Sequence, residues 1–271
     1  MSEAVFEREG DRFQPQPVAR ARWYDEVLHG GPVAALFARQ VEQVESAQPM
    51  MVTRLTVDLM RPVPTKPLEV ATRVVREGRR IQVVDALMVS EGVEVARASA
   101  LRMRVGEVDV PEHPRRPPPS GPDGFERASW RGDAAGDWFH TSAVEMRVTE
   151  GHFYEPGPAT AWLRMLVPIV EGEAASPLQR VSALADFGNG LSRVLASGWW
   201  FINADLTVYL ERTAQSEWIA RRARTDIDDD GIGVAQSEVF DQAGSIGHAL
   251  QSLFVDRTNE GPSEPTVRTA W

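Results

Sequence analysis

The sequence predicts an α+β protein made of two similar halves, each an antiparallel meander of strands packed on one helix. Three observations predict it: a proline-dense break in mid-chain, the same order of elements on both sides of it, and a short run of letters recurring at a fixed distance. The break is Val110-Pro-Glu-His-Pro-Arg-Arg-Pro-Pro-Pro-Ser-Gly-Pro-Asp-Gly124. Proline fixes φ and has no N–H to donate, so this stretch is neither helix nor central strand and reads as a semi-rigid linker or surface strap. It divides the chain into an N-terminal unit (1–109), a linker (110–124) and a C-terminal unit (125–271).

In the first unit a short extended segment, 18–23, precedes His29-Gly30-Gly31-Pro32. Pro32 suits a first helical turn, and the run 33–42, rich in alanine and leucine, continues as helix. Leu55, Val57 and Leu59 then alternate with Arg54, Thr56 and Asp58, the period of a half-buried strand. Segments 69–76, 81–89 and 93–103 supply three more strands, with turns at Glu77-Gly78 and Glu91-Gly92. In the second unit, extended segments near 143–148 and 159–166 lead to Ser176-Pro177, an N-cap followed by a first-turn proline. A helix over 178–184 meets Asp186-Phe-Gly-Asn-Gly190, which should interrupt it, and a second helical piece covers 191–195. Alternation resumes at Leu206, Val208 and Leu210 and continues through 218–225, 233–240 and 246–255. Leu55-Thr-Val-x-Leu-x-Arg61 recurs as Leu206-Thr-Val-x-Leu-x-Arg212, at an offset of 151 residues. Matched with the whole element order, this points to an internal duplication; the alternative is one α+β domain of nine or ten strands without a repeat. A curved sheet wrapped around one helix is the hotdog arrangement, and two copies give a double hotdog.

The bulk composition narrows the function. With 42% hydrophobic and 25% charged residues the chain is globular, and it can bury a sizeable core. It has no cysteine, which excludes disulfides, a thiolate nucleophile and cysteine-ligated metal sites. A net charge of −10 argues against nucleic acid and anionic membrane as partners. The acidic start and the lack of a long apolar run lead us to expect a cytoplasmic protein. No Gly-x-Ser-x-Gly, glycine-rich phosphate loop or metal-ligand spacing occurs, so no cofactor and no metal are expected.

Several motifs resemble one family, the double-hotdog acyl-CoA thioesterases of the bacterial thioesterase II type. In the first half the carriers are His29-Gly-Gly-Pro-Val33, Leu59-Met-Arg-Pro62 and Glu77-Gly-Arg-Arg80. In the second half they are Leu184-Ala-Asp-Phe187, Asn203-Ala-Asp-Leu206 and Leu250-Gln-Ser252. The resemblance implies hydrolysis of an acyl-CoA to free acid and CoA by a water-activating trio: an aspartate beside a phenylalanine, a serine or threonine opening the next strand, and a glutamine in the last strand. Carried over, the trio is Asp186, Asn203 and Gln251, with asparagine in place of the hydroxyl. Asp186 would take the water's proton, and the two amides would fix water and carboxylate. Backbone N–H groups around Gly188 and Asn189 would face the developing oxyanion, with Gly30 and Gly31 also lining the substrate site.

Plainer readings exist for each residue. Asp186 fits a turn, Gln251 an outward strand position, and Asn203 a strand-opening hydrogen bond. Asp205 fits either an Arg212 partner or a further polar member of the site. His29 reads as a structural or mouth residue. Arg73, Arg76, Arg79 and Arg80 read as a solvated hairpin or a phosphate clamp, and Trp199-Trp200 as core or subunit contact. One site per chain and a homodimer are expected. A non-catalytic acyl-CoA or acyl-chain binding protein, or a hotdog hydratase, are the alternatives.

Overall fold

The computed structural model describes residues 4–22, 26–129, 138–196 and 198–257. Among the described residues every strand belongs to one antiparallel sheet of thirteen strands. In the first half these are β1 (Phe6–Glu9), β2 (Arg12–Pro15), β3 (Met50–Asp58), β4 (Leu68–Arg76), β5 (Ile81–Ser90) and β6 (Val93–Arg104). In the second they are β7 (Val144–Glu150), β8 (Ala159–Met165), β9 (Trp199–Asn203), β10 (Asp205–Leu210), β11 (Ile219–Ile227), β12 (Ile232–Asp241) and β13 (Gly244–Arg257). The order across the sheet is β1-β2-β4-β5-β6-β3-β10-β13-β12-β11-β8-β7, with β9 added to the far end of β13.

The repeat seen in the letters extends through the meanders. Strands β4, β5 and β6 begin at 68, 81 and 93, and β11, β12 and β13 begin at 219, 232 and 244, each 151 residues later. The halves meet where β3 pairs with β10, and there Thr56 stands opposite its own counterpart, Thr207. Their hydroxyls are hydrogen-bonded at 3.1 Å. Leu55 faces Val208 and Val57 faces Leu206, so the pairing is symmetric about this threonine pair.

Two helices lie against the buried side of the sheet, α1 (Gly30–Glu42) and α2 (Pro177–Ala185), followed by the short α3 (Gly188–Leu191). Apart from its two ends and Gln40, α1 is buried, which suits its run of alanine, valine, leucine and phenylalanine. The two long helices run antiparallel. Ser176, the N-cap of α2, donates through Oγ to Glu42 at the C-terminal end of α1 (2.7 Å). At the other end Gly31 of α1 abuts the carbonyl of Ala183 in the last turn of α2; a Cβ on Gly31 would overlap that oxygen. The glycine therefore sets how closely the helices approach.

Local differences from the sequence reading have identifiable causes. The segment expected to be extended from residue 18 is a 3-10 turn at Pro17–Ala19, followed by a single antiparallel bridge from Arg20 to Leu28; residue 23 lies outside the described residues. The hairpin of β1 and β2 was not anticipated; it turns at Gly10, whose φ is +63°. The helical piece expected over 191–195 lies earlier, at Gly188–Leu191, because Ser192 Oγ ends it by donating to the Gly188 carbonyl (2.9 Å). The proline-rich segment is a strap on the second half: Trp162 Nε1 donates to the Ser120 carbonyl (2.6 Å), Arg147 to that of Pro122 (3.2 Å), and the Ser245 amide to that of Arg116 (3.1 Å). No helix among the described residues is long and apolar enough to cross a membrane.

Candidate active site

The inward face of β13 carries Ala249, Gln251 and Leu253, all buried, while Leu250 points out. Alternation thus delivers Gln251 to the interior, not to solvent. A buried amide is tolerated only when both its ends are hydrogen-bonded, and here they are. Nε2 donates to Asp186 Oδ1 at 2.9 Å, and Oε1 accepts from the Asn189 amide at 3.3 Å. Asn203 ends β9 opposite Leu253 and donates from Nδ2 to the same Asp186 oxygen at 2.8 Å. Asp186 itself is the C-cap of α2, where the helix breaks before α3. The three residues of the expected trio, distant in the chain, share one cluster.

The other carboxylate oxygen meets the first half. His29, the N-cap of α1, places Nδ1 2.8 Å from Asp186 Oδ2, with both side chains about 5% exposed or less. Its ring lies between Phe139 and Phe187, at centroid distances of 5.1 and 5.4 Å. His140, 6.2 Å from the His29 ring, is itself buried, and burial, helped by the neighbouring His29 and Arg22 charges, pushes it down to about 3.

Beneath the cluster is a buried cation. Arg221 of β11 is 1% exposed, donates from Nη1 to the Leu184 carbonyl at the end of α2 (2.8 Å) and from Nη2 to Ser237 Oγ (2.7 Å). Burial lowers its guanidinium to about 9, against the opposing pull of the Asp186 charge. A cation on the last carbonyls of a helix complements its dipole.

The four positions expected to meet substrate are all at this cluster, and the packing of three glycines is explicit. A Cβ on Gly30 would lie 2.8 Å from Asp186 Oδ2, so the carboxylate rests against the bare backbone of α1. Gly31 contacts α2 as described. Gly188 passes Gln251, where a Cβ would come within 2.7 Å of Oε1. Asn189 commits its N–H to Gln251, while its buried Oδ1 has no hydrogen-bond partner among the described residues. The cluster borders solvent at half-buried Asn189 and Asn203 and exposed Gly190.

Other sequence candidates lie elsewhere. Asp205 does not pair with Arg212; it accepts from the Ser252 amide (2.6 Å), and Arg212 instead binds Asp241. Trp199 is exposed and Trp200 half-buried on β9, so neither is core. The arginines at 73, 76, 79 and 80 are solvent-exposed. A surface cleft of about 600 Å³ opens between β3, β4, β5 and β6, lined by Thr56, Asp58, Arg73, Asp85, Arg97 and Ser99. Its charges form ion pairs, Arg97 with Asp58 and Arg73 with Asp85, on the side of the sheet away from Asp186. Asp186, Asn203 and Gln251 do not line this cleft. Among the described residues no three acidic or histidine side chains converge to hold a metal ion.

Comparison with known families now bears on this arrangement. Residues 110–255 match the acyl-CoA thioesterase C-terminal domain, and residues 19–103 match the acyl-CoA thioesterase N-terminal domain. The chain belongs to the acyl-CoA thioesterase family. Among solved structures it is similar to a hot dog fold protein of unknown function from Alicyclobacillus acidocaldarius (17% identity, TM-score 0.74, covering 95% of this chain and 98% of that one). It is also similar to an acyl-CoA thioesterase II from Mycobacterium marinum (14% identity, TM-score 0.66, covering 94% and 96%). These likenesses are of fold: a large antiparallel sheet of hotdog type with few helices. No curated protein sequence matches the chain.

For this acyl-CoA thioesterase family member, two residues outside the expected trio stand at the cluster, His29 and Arg221. His29 was read as structural or at the mouth, because nothing in the letters ties it to a carboxylate 157 positions on. Arg221 had a readable signal: in Ile219-Ala-Arg-Arg-Ala-Arg-Thr225, the phase set by Ile219 and Ala223 turns Arg221 inward and Arg222 and Arg224 outward.

Proposed function

We propose that the chain is a cofactor-free thioester hydrolase of acyl-CoA, built as a double hotdog with units at 1–109 and 125–271 joined by the strap. The observation that carries this reading is the convergence of Asn203, Gln251 and His29 on the Asp186 carboxylate in a nearly dry setting. An ionised carboxylate has about four acceptor positions; these contacts take two on Oδ1 and one on Oδ2. The remaining one receives a water. Asp186 takes a proton from that water as its oxygen attacks the thioester carbon. The carbon–sulfur bond then breaks, and CoA leaves as the thiolate, which takes up a proton. N–H groups of Gly188 and Gly190, in the first turn of α3, have no intrahelical acceptors and serve the developing oxyanion. Asn189 Oδ1 offers an acceptor to a substrate amide N–H.

The test is free-thiol release from a panel of acyl-CoA esters by the wild type and by Asp186→Asn. The variant should lose turnover by on the order of 10² to 10⁴ while keeping the circular dichroism of the folded chain. Undiminished release would remove Asp186 from the chemistry. A second reading, an acyl-CoA binding protein without hydrolysis, is favoured by Asn203, which supplies a donor to the carboxylate but no transferable proton. Tight binding of the esters with no thiol released from any of them would decide for it.

A further inference from the structure

We propose that His29 is a positioning residue for Asp186, so that the first half supplies an essential part of a site whose other members belong to the second. The inference rests on the hydrolase reading above and deepens it. Its basis is the contact between His29 Nδ1 and Asp186 Oδ2, 2.8 Å, across the junction of α1 and α2. The same nitrogen lies 3.1 Å from the Gly31 amide nitrogen. One ring nitrogen cannot donate to the carboxylate and accept from the amide at once. The shorter contact, to a charged acceptor, is the stronger, and it puts the proton on Nδ1. Asn203 and Gln251 both grip Oδ1. Two donors on one oxygen leave the carboxylate free to pivot about that oxygen. The imidazole on Oδ2 removes this freedom and fixes which lone pair faces the water.

The ring is itself held rigidly, as a positioning group must be. It sits between the rings of Phe139 and Phe187, and its backbone is tied by the His29 amide donating to the Ala19 carbonyl (3.0 Å). Gly30 completes the arrangement, since only a residue without Cβ lets the carboxylate reach the imidazole over the start of α1.

Two substitutions separate positioning from helix capping. His29→Ser puts a good N-cap at the start of α1 but is too short to reach Oδ2; His29→Asn, also a good N-cap residue, can return an N–H close to where Nδ1 stood. On the hydrolase reading, kcat should fall about tenfold to a hundredfold in His29→Ser with KM changed less than about twofold. His29→Asn should recover at least about half of the lost kcat, and the two variants should share the same Tm. A serine variant with wild-type kcat overturns the proposal, as does an equal loss in both variants with a lowered Tm. Nitrogen-15 spectra of the wild-type imidazole give a readout that needs no turnover. A proton on Nδ1 that shifts in Asp186→Asn supports the contact, and a ring with Nδ1 bare overturns it. If the wild type releases no thiol from any ester, the hydrolase reading falls, and these spectra still decide the contact.

Discussion

Replacing Gly30 by alanine should separate activity from stability. The added Cβ would stand 2.8 Å from Asp186 Oδ2 and 3.0 Å from both Cγ and Oδ1, whereas ordinary contacts begin at 3.4 Å, so the carboxylate must retreat by about 0.6 Å. It cannot do so freely. Its contacts to Asn203, Gln251 and His29 are 2.8, 2.9 and 2.8 Å, and a retreat of that size carries several of them toward the limit of a hydrogen bond. Misplacing a reacting group by a fraction of an ångström to an ångström costs about tenfold to a hundredfold in rate. Stability should change little, because alanine gains up to about 1 kcal/mol over glycine in a helix and the strained atom is the tip of a side chain. Gly31→Ala is the contrast. There the Cβ overlaps the Ala183 carbonyl and comes within 2.8 Å of the Phe139 ring. Backbone of a packed helix cannot step aside, so overpacking should cost about 1 to 3 kcal/mol. Thiol release and thermal melting of the two variants, side by side, make the assay. Full activity in Gly30→Ala would refute the idea that the carboxylate is held against α1.

Arg221→Met should destabilise the fold by roughly 3 to 5 kcal/mol, the usual cost of removing one member of a buried charged set. It strands the Leu184 carbonyl and Ser237 and deprives Asp186 of a nearby cation; urea unfolding measures it, and a loss below about 1 kcal/mol would show the guanidinium to be dispensable. His140 gives the pH dependence. Burial holds its folded value near 3, below the ordinary 6.5, so the neutral ring belongs to the folded state. Its stabilisation is complete above 6.5 and drains away as pH falls toward 3, at about 1.4 kcal/mol per pH unit. Unfolding free energies of His140→Gln between pH 7 and 4 should therefore fall less steeply than the wild type's, and parallel curves would disprove the assignment.

What could be read from the letters was whatever has a short period. Leu206, Val208 and Leu210 alternate with polar neighbours, and all three are buried in β10. Pro32 and the Ser176-Pro177 pair marked helix starts within a turn or two of where they occur. Contacts between distant segments leave no such trace. Nothing local says that Ser176 caps its helix beside Glu42, or that this carboxyl is pushed up by partial desolvation despite two hydrogen bonds. Gln251 was ambiguous for a related reason: a polar letter in an apolar strand fits an outward position until its partners are known. Asp186 and Asn203 could be singled out only through a family resemblance, because an aspartate before glycines and an asparagine opening a strand are ordinary turn residues.

The 151-residue offset also accounts for why the polar cluster belongs to one half. Strands β4 to β6 and β11 to β13 keep this offset at every start, so positions can be matched one to one. Arg221 corresponds to Val70, Ser237 to Ala86, and Gln251 to Ala100. Ala86 and Ala100 are buried, and Val70 packs against the core. The strand spacing is the same in both halves, yet the buried polar side chains of Arg221, Ser237 and Gln251 have apolar counterparts. A carboxylate buried among those three would have no cation and no amide to face, a cost of several kcal/mol. Apolar residues instead let the first half contribute core. Its contribution to the polar cluster is confined to the end of α1, where His29 and Gly30 meet the carboxylate. The pairing of β3 with β10 joins the two meanders into one sheet, and the antiparallel α1 and α2 bring that helix end to Asp186. Neither half alone contains the arrangement.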